Sequence, residues 1–126
     1  MRSLELFAGA GGLGLGMEKA GFKNAAVVEI DRNACDTLRS NRERGVPPVK
    51  DWRIFQEDVR AFDYREFENR IDVISGGPPC QPFSLGGKHG GHKDRRDMFP
   101  EAVRAVREVR PKAFIFENVK GLLRQS

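Results

Sequence analysis

The sequence has little of what secreted and membrane proteins require. Only two of its 126 residues are cysteines, so at most one disulfide can form and a disulfide framework is excluded. No stretch approaches the roughly 20 apolar residues that a membrane-spanning helix needs. The first residues become glycine-rich after a short apolar run, which is not the pattern of a secretory signal peptide. We therefore expect a cytoplasmic protein with no membrane partner.

The sequence also lacks a large excess of either charge, because 22 Lys+Arg stand against 18 Asp+Glu and the formal net charge is only +4. This balance permits a nucleic-acid partner without requiring one. The distribution is more informative, because residues 86–96 contain four Lys and Arg and four glycines against a single acid, Asp94. A glycine-rich basic loop can wrap phosphates. The alternative interpretation is a solvated surface loop.

Short apolar runs alternate with helical patterns along the chain. The patterns predict strands at 4–7, 25–30, 53–56, 71–75 and 113–116, and helices at 13–20, 32–44 and 100–110. Asp31 is an N-cap candidate, Gly21 and Gly45 are helix stops, and Pro100 suits a first helical turn. This alternation predicts one α/β domain with a doubly wound, mostly parallel sheet and helices on both faces. Only ten residues follow the fifth strand, so we expect a fold that is incomplete at its C-terminus.

The first chemistry-bearing cluster is the turn FAGAGGLG at 7–14, between the first strand and the first helix. Glycines let the backbone approach a ligand, and a helix N-terminus presents free N–H groups. Glu29, at the end of the second strand, is placed to accept from ribose hydroxyls. The spacing differs from the G-x-G-x-x-G fingerprint, so a nucleoside site and a structural turn both stay open. Asp58, after the third strand, could receive an adenine amine or simply begin a surface turn.

The second cluster, GGPPCQPFS at 76–84, follows the fourth strand. Its prolines and glycines hold Cys80 in a rigid turn at the sheet edge where open α/β folds bind ligands, and the basic loop after it favours a thiolate. We interpret Cys80 as a nucleophile and Cys35 as a buried apolar residue. No second Cys or His pair has zinc-ligand spacing, so no metal site is predicted. Glu117, directly after the fifth strand, is a candidate acid or hydrogen-bond partner in the same crevice.

ELFAGAGGLGLG, PPCQPFS and ENV, in this order, resemble the cytosine-C5 DNA methyltransferase family over residues 4–123. The resemblance implies a class I, Rossmann-like methyltransferase fold with S-adenosyl-L-methionine as cofactor. Cys80 would be the nucleophile, Glu117 would contact the target base, and Glu29 would hold the ribose. The cofactor residues that it implies are Phe7, Ala8, Gly9, Gly11, Gly12, Glu29, Ile30, Asp58, Val59 and Pro79. The implied DNA contacts are Gln81, Ser84, Lys88 and Arg96, the last three in the loop that closes over DNA.

The chemistry of this family explains these residue types. Addition of a thiolate to C6 makes C5 of cytosine nucleophilic enough to take a methyl group from the sulfonium. A carboxylic acid at N3 stabilises the charge that develops in the ring. The target base must leave the duplex stack, at a cost of a few kcal/mol.

Family enzymes continue after ENV with a glutamine–arginine-rich motif, a target-recognition region and a C-terminal helix. We therefore expect residues 1–126 to be a partial catalytic domain whose partners are DNA, a complementary C-terminal subunit or fragment, and a cognate restriction endonuclease. Two alternatives stay open: a tRNA cytosine-C5 methyltransferase, because that branch shares PPCQ and ENV, and a non-catalytic cofactor- or DNA-binding fragment. A dinucleotide oxidoreductase is disfavoured because PPCQ has no role in hydride transfer.

Overall fold

The computed structural model describes residues 1–79 and 97–117. The strands are β1 (Arg2–Leu6), β2 (Lys23–Glu29), β3 (Ile54–Gln56), β4 (Val73–Gly76) and β5 (Ala113–Phe116), and the helices are α1 (Gly12–Lys19), α2 (Arg32–Glu43) and α3 (Phe99–Val109). Short 3-10 turns occupy Val49–Asp51, Val59–Ala61 and Arg65–Phe67. Every strand and helix predicted from the sequence is present, with bounds that differ from the prediction by at most two residues.

The five strands form one sheet in the order β3-β2-β1-β4-β5. All four strand pairs are parallel. The chain runs outward from β1 to β3 and then returns to the other side of β1 with β4. The carboxyl ends of β1 and β4 therefore flank a topological switch point, which is where doubly wound sheets bind ligands. This arrangement confirms the predicted fold class.

Two apolar cores lie on opposite faces of the sheet. One contains Leu4 and Leu6 of β1 together with Ala105 of α3. The other contains Val27 of β2 and Leu38 of α2. Because successive side chains of a strand point to opposite faces, a buried parallel sheet needs a helix on each side. The helices lie on both faces, as the alternation of strands and helices predicted.

Local signals at the helix ends are confirmed. The Asp31 carboxylate accepts the Ala34 N–H at 2.8 Å and caps α2. Gly21 and Gly45 follow α1 and α2 with φ angles of +100° and +71°, a conformation that favours glycine. Pro100 lies in the first turn of α3.

The β5 strand lies at one edge of the sheet. Its Phe114 and Ile115 side chains are 57% and 51% exposed, whereas the β4 strand that pairs with it is buried. Within residues 1–79 and 97–117, no helix has the length and apolar character to cross a membrane.

Candidate functional site

A cavity of about 500 Å³ opens at the carboxyl edge of the sheet, beside the switch point. Its walls come from the turn after β1, the end of β2, the segment after β3, the segment after β4 and the start of α3. The lining residues are Phe7, Gly9, Val28, Glu29, Ile30, Glu57, Asp58, Val59, Arg60, Gly77, Pro79 and Met98. This volume lies within the range of roughly 300–1,000 Å³ that small-molecule sites occupy.

Seven of the ten residues expected to bind a cofactor line this cavity: Phe7, Gly9, Glu29, Ile30, Asp58, Val59 and Pro79. The lining does not include Ala8, Gly11 or Gly12. Ala8 belongs to the core beneath α2. A Cβ on Gly11 would lie 2.9 Å from Leu38 and 3.2 Å from Trp52, so this glycine permits close packing of the turn. Contact of these three residues with a cofactor stays a prediction.

A hydrogen bond to the Glu29 side chain connects the glycine-rich turn with the end of β2. One carboxylate oxygen, Oε1, accepts the main-chain N–H of Gly9 at 2.7 Å, and Oε2 accepts that of Asp31 at 2.9 Å. Each oxygen keeps acceptor capacity for a further donor. The Glu29 side chain is therefore preset in the cavity wall as a hydrogen-bond acceptor.

Asp58 and Arg60 form the adjoining wall of the cavity, in the segment that follows β3. The Asp58 carboxylate accepts the Arg60 main-chain N–H at 2.9 Å, and the guanidinium Nε and Nη2 approach it at 3.0 and 2.5 Å. The hydrogen bond from the Arg60 side chain holds the pKa of Asp58 below its usual range. Asp58 is thus an ionised acceptor whose orientation is set by a residue that also lines the cavity.

Ile30 provides an apolar surface at the cavity, next to Glu29 in the chain. Its side chain is 59% exposed. Phe7 and Val59 add further apolar surface to the lining. A flat ring covering Ile30 would remove this surface from water.

Glu117 lies where the ends of β4 and β5 meet, as predicted. Its N–H donates to the Gly76 carbonyl at 3.0 Å. A Cβ on Gly77 would lie 2.9 Å from Glu117 Oε1, so the Glu117 carboxylate lies against the segment that leads from β4 toward Cys80. The remaining predicted site residues, Cys80, Gln81, Ser84, Lys88 and Arg96, lie outside the described residues.

Cys35 is the buried cysteine that the sequence predicted. It is fully buried, and its thiol donates to the Glu29 carbonyl at 3.3 Å. Burial raises the pKa of the thiol, so the unreactive protonated form is favoured.

Glu5 is a buried carboxyl beneath the first turns of α1, and the sequence analysis did not single it out. It is 1% exposed, and its Oε1 has no hydrogen-bond partner among the described residues. Burial raises its pKa to about 8, although the Gly14 main chain acts in the opposite direction. The carboxylates of Glu117 and Glu29 raise it further. Glu5 is therefore mainly protonated at neutral pH.

Sequence reasoning also missed Glu57, Arg60 and Met98 in the cavity lining. The pairing of Arg60 with Asp58 could have been predicted from the sequence, because Asp58-Val59-Arg60 has the same D-x-R spacing as Asp63-Tyr64-Arg65. In both cases the arginine folds back on the aspartate with nearly identical geometry. Met98 had no such signal, because it is brought to the cavity only by the packing of α3.

Residues 1–126 match the sequence model of a family described as C-5 cytosine-specific DNA methylase. The chain belongs to this family. Membership confirms the resemblance found in the sequence, and it implies S-adenosyl-L-methionine as the methyl donor.

Individual relatives agree with this assignment. The chain is 50% identical over 121 residues to the Type II methyltransferase M.NgoMIV of Neisseria gonorrhoeae, covering 96% of this chain and 36% of the relative. A crystal structure of a protein assigned as a DNA modification methyltransferase, encoded within a prophage of E. coli, superposes with a TM-score of 0.77 at 35% identity. That superposition covers 98% of this chain and 33% of the other. A protein of Pyrococcus horikoshii assigned as an RNA methyltransferase superposes with a TM-score of 0.62 at 25% identity, covering 98% and 51%. The chain thus spans between about a third and a half of these proteins.

Proposed function

We propose that this chain is the cofactor-binding and nucleophile-bearing part of an enzyme that methylates C5 of cytosine in DNA. The observation that carries the proposal is the switch-point cavity. The preset carboxylate of Glu29 lies in its wall, and Pro79, the residue immediately before Cys80, lies in the same lining. One site thus combines an acceptor for a nucleoside with the approach to a nucleophile.

The residues of the cavity fit S-adenosyl-L-methionine. Glu29 offers an oriented acceptor for ribose hydroxyls, because its carboxylate oxygens are held by two main-chain N–H groups and keep free acceptor capacity. The ionised Asp58 is an acceptor for an exocyclic amine, and Ile30 supplies apolar surface for a purine ring. When bound, the cofactor supplies an electrophilic methyl group on a sulfonium.

Cys80 and Glu117 act on the target base in this proposal. The Cys80 thiolate forms a bond to C6, and the C5–C6 electron pair moves so that C5 becomes nucleophilic. Glu117 donates a hydrogen bond at N3 and stabilises the charge that develops in the ring. After C5 has gained the methyl group, its proton leaves to a base and the bond between Cys80 and C6 breaks. Gln81, Ser84, Lys88 and Arg96 contact the DNA from which the base has been extruded.

Three partners belong to the proposal: DNA, a C-terminal part supplied by a longer chain or a second subunit, and a cognate restriction endonuclease. The first is supported by the family, and the second by the 36% of M.NgoMIV that the chain covers. The third is supported by the description of that relative as a Type II methyltransferase. A tRNA substrate is the second candidate, and the likeness to the P. horikoshii protein, which is assigned as an RNA methyltransferase, favours RNA as the substrate class. The higher identity to the DNA enzymes favours DNA.

A chimera tests the reaction directly. The 121 matched residues of M.NgoMIV are replaced by this chain, and the chimera is incubated with labelled S-adenosyl-L-methionine and either unmethylated DNA or tRNA. We expect label in 5-methylcytosine of DNA, identified by mass spectrometry. The Cys80→Ser chimera should lose the label, and Cys35→Ala, which alters the buried cysteine, should keep it. A Cys80→Ser chimera that still methylates would overturn the mechanism, and label on tRNA alone would favour the second candidate.

Binding measurements on the chain alone test the remaining alternative, a non-catalytic binding fragment. If the chain binds S-adenosylhomocysteine but the chimera transfers no methyl group, the chain is such a fragment. Binding by the chain together with methylation by the chimera supports the proposed division of labour.

A further inference from the structure

Arg104 of α3 joins this helix to the wall of the cavity. Its Nη2 donates to the main-chain carbonyl of Val59 at 2.7 Å and to that of Phe62 at 3.4 Å. These two carbonyls bracket the 3-10 turn Val59–Ala61, and Val59 and Arg60 of that turn line the cavity. A side chain outside the cavity lining thus holds the main chain of the wall.

The guanidinium is itself held from three directions. Its Nε lies 3.0 Å from Glu101 and its Nη1 lies 2.9 Å from Glu108, on the preceding and following turns of α3. Its carbon lies 5.0 Å from the centre of the buried Tyr64 ring. Because the guanidinium is planar, fixing two nitrogens and one face fixes the direction of the third nitrogen.

The turn that Arg104 holds has few main-chain hydrogen bonds of its own, and Asp58 supports it by accepting the Arg60 main-chain N–H at 2.9 Å. Its internal main-chain hydrogen bonds are Ala61 N–H to Asp58 carbonyl at 3.0 Å and Phe62 N–H to Val59 carbonyl at 3.3 Å. Turns of this type have poor hydrogen-bond geometry and depend on tertiary contacts. The charge-assisted bond from Arg104 at 2.7 Å is shorter than either.

Met98, the residue before α3, contacts the wall that leads to Cys80. The Met98 N–H donates to the Pro79 carbonyl at 3.0 Å, and Met98 and Pro79 both line the cavity. The helix therefore connects the wall that carries Asp58 with the wall that leads to Cys80.

We propose that Arg104 is a positioning residue for the adenosyl group of the cofactor, an inference that rests on the proposed function. By holding the Val59 carbonyl, Arg104 keeps Asp58 and Val59 in the arrangement that the ligand meets. Without it the turn samples other arrangements, and the ligand must order the turn on binding, which weakens affinity.

The test compares three variants of the full chain by isothermal titration calorimetry with S-adenosylhomocysteine and with 5′-methylthioadenosine. Arg104→Gln should weaken both ligands by the same factor, about tenfold, because the effect acts on the adenosyl half alone. Arg104→Lys keeps the charge beside Glu101 and Glu108 and can reach one carbonyl, so it should restore part of the affinity. Arg107→Gln, an exposed arginine of the same helix, should leave both affinities within about twofold of the unsubstituted chain.

Hydrogen–deuterium exchange without ligand distinguishes local ordering of the turn from a general loss of stability. In Arg104→Gln, and more weakly in Arg104→Lys, exchange should quicken in the peptide covering 58–62 and stay unchanged in β2. Unchanged affinity in Arg104→Gln, equal loss in Arg107→Gln, or faster exchange throughout the sheet would each overturn the inference. If the unsubstituted chain binds neither ligand, the same titrations are made with the chimera and its Arg104→Gln variant. A chimera that neither binds these ligands nor methylates would overturn the proposed function, and this inference with it.

Discussion

The carboxylate of Glu29 accepts the main-chain N–H of Gly9 at 2.7 Å, although 20 residues separate them in the chain. This bond ties the glycine-rich turn after β1 to the end of β2. A second bond from the Asp31 N–H occupies the other carboxylate oxygen. The site is therefore organised before a ligand arrives, which reduces the entropy lost on binding.

Glu29→Gln should weaken S-adenosylhomocysteine binding by about tenfold or more, because one carboxylate oxygen becomes an NH₂ group that cannot accept from either main-chain N–H. Titration calorimetry with S-adenosylhomocysteine and with its 2′-deoxy and 3′-deoxy analogues provides the check. Loss of the ribose hydroxyl that Glu29 contacts should lower the affinity of the unsubstituted chain and change that of Glu29→Gln little. Equal losses in both proteins would show that Glu29 does not contact the ribose.

The two D-x-R turns provide a matched comparison. Asp58→Ala and Asp63→Ala each remove a local ion pair with an arginine and a bond to its main-chain N–H. Both should lower the free energy of unfolding, and the fully exposed Asp63 pair should contribute no more than the Asp58 pair. Only Asp58→Ala should weaken binding of adenosyl ligands, because Asp58 lines the cavity and Asp63 does not. A similar loss of affinity in Asp63→Ala would attribute the effect to stability.

Substitution by alanine should change the free energy of unfolding in opposite directions at two glycines of α1. A Cβ on Gly14 would overlap Oε1 of Glu5 and lie 2.9 Å from the Trp52 ring, whereas a Cβ on Gly16 meets nothing within 4 Å. Gly14→Ala should lower the free energy of unfolding by about 1–3 kcal/mol through overpacking. Gly16→Ala should raise it by about 0.5–1 kcal/mol, because alanine favours the helix. Urea denaturation measures both changes, and a stable Gly14→Ala protein would contradict the close packing of α1 on the sheet.

The pH dependence of stability should report on Glu5. Burial raises the pKa of this carboxyl from its ordinary value of 4.5 to about 8, so between these values the folded chain holds a proton that the unfolded chain has released. The stabilisation is complete below pH 4.5 and is lost as the pH rises through 8, with a slope of at most about 1.4 kcal/mol per pH unit.

Glu5→Gln removes this titration while keeping the shape of the side chain. Its stability relative to the unsubstituted chain should therefore increase from pH 5 to pH 8, measured by urea denaturation across that range. A stability difference that stays constant with pH would show that Glu5 does not titrate in this interval.

Much of the framework is encoded in local sequence. Alternating apolar runs, the Asp31 cap and the glycines at 21 and 45 act within a few residues, and each forms the element that it predicted. The position of Glu29 at the end of β2 follows from the same pattern. The family motifs also lie in short stretches, so the assignment to the cytosine methylases needed no structure.

The strand order and the inner support of the site depend on contacts between distant segments. Glu29 meets Gly9 across 20 residues, and Arg104 meets Val59 across 45. Met98 reaches the cavity through the packing of α3, and Glu5 becomes a buried acid only where α1 covers β1. These relationships have no periodicity or fixed spacing in the chain, because they arise when the sheet brings the strand ends together. Local chemistry thus specified which groups the site contains, and tertiary packing decided which of them touch and in what charge state.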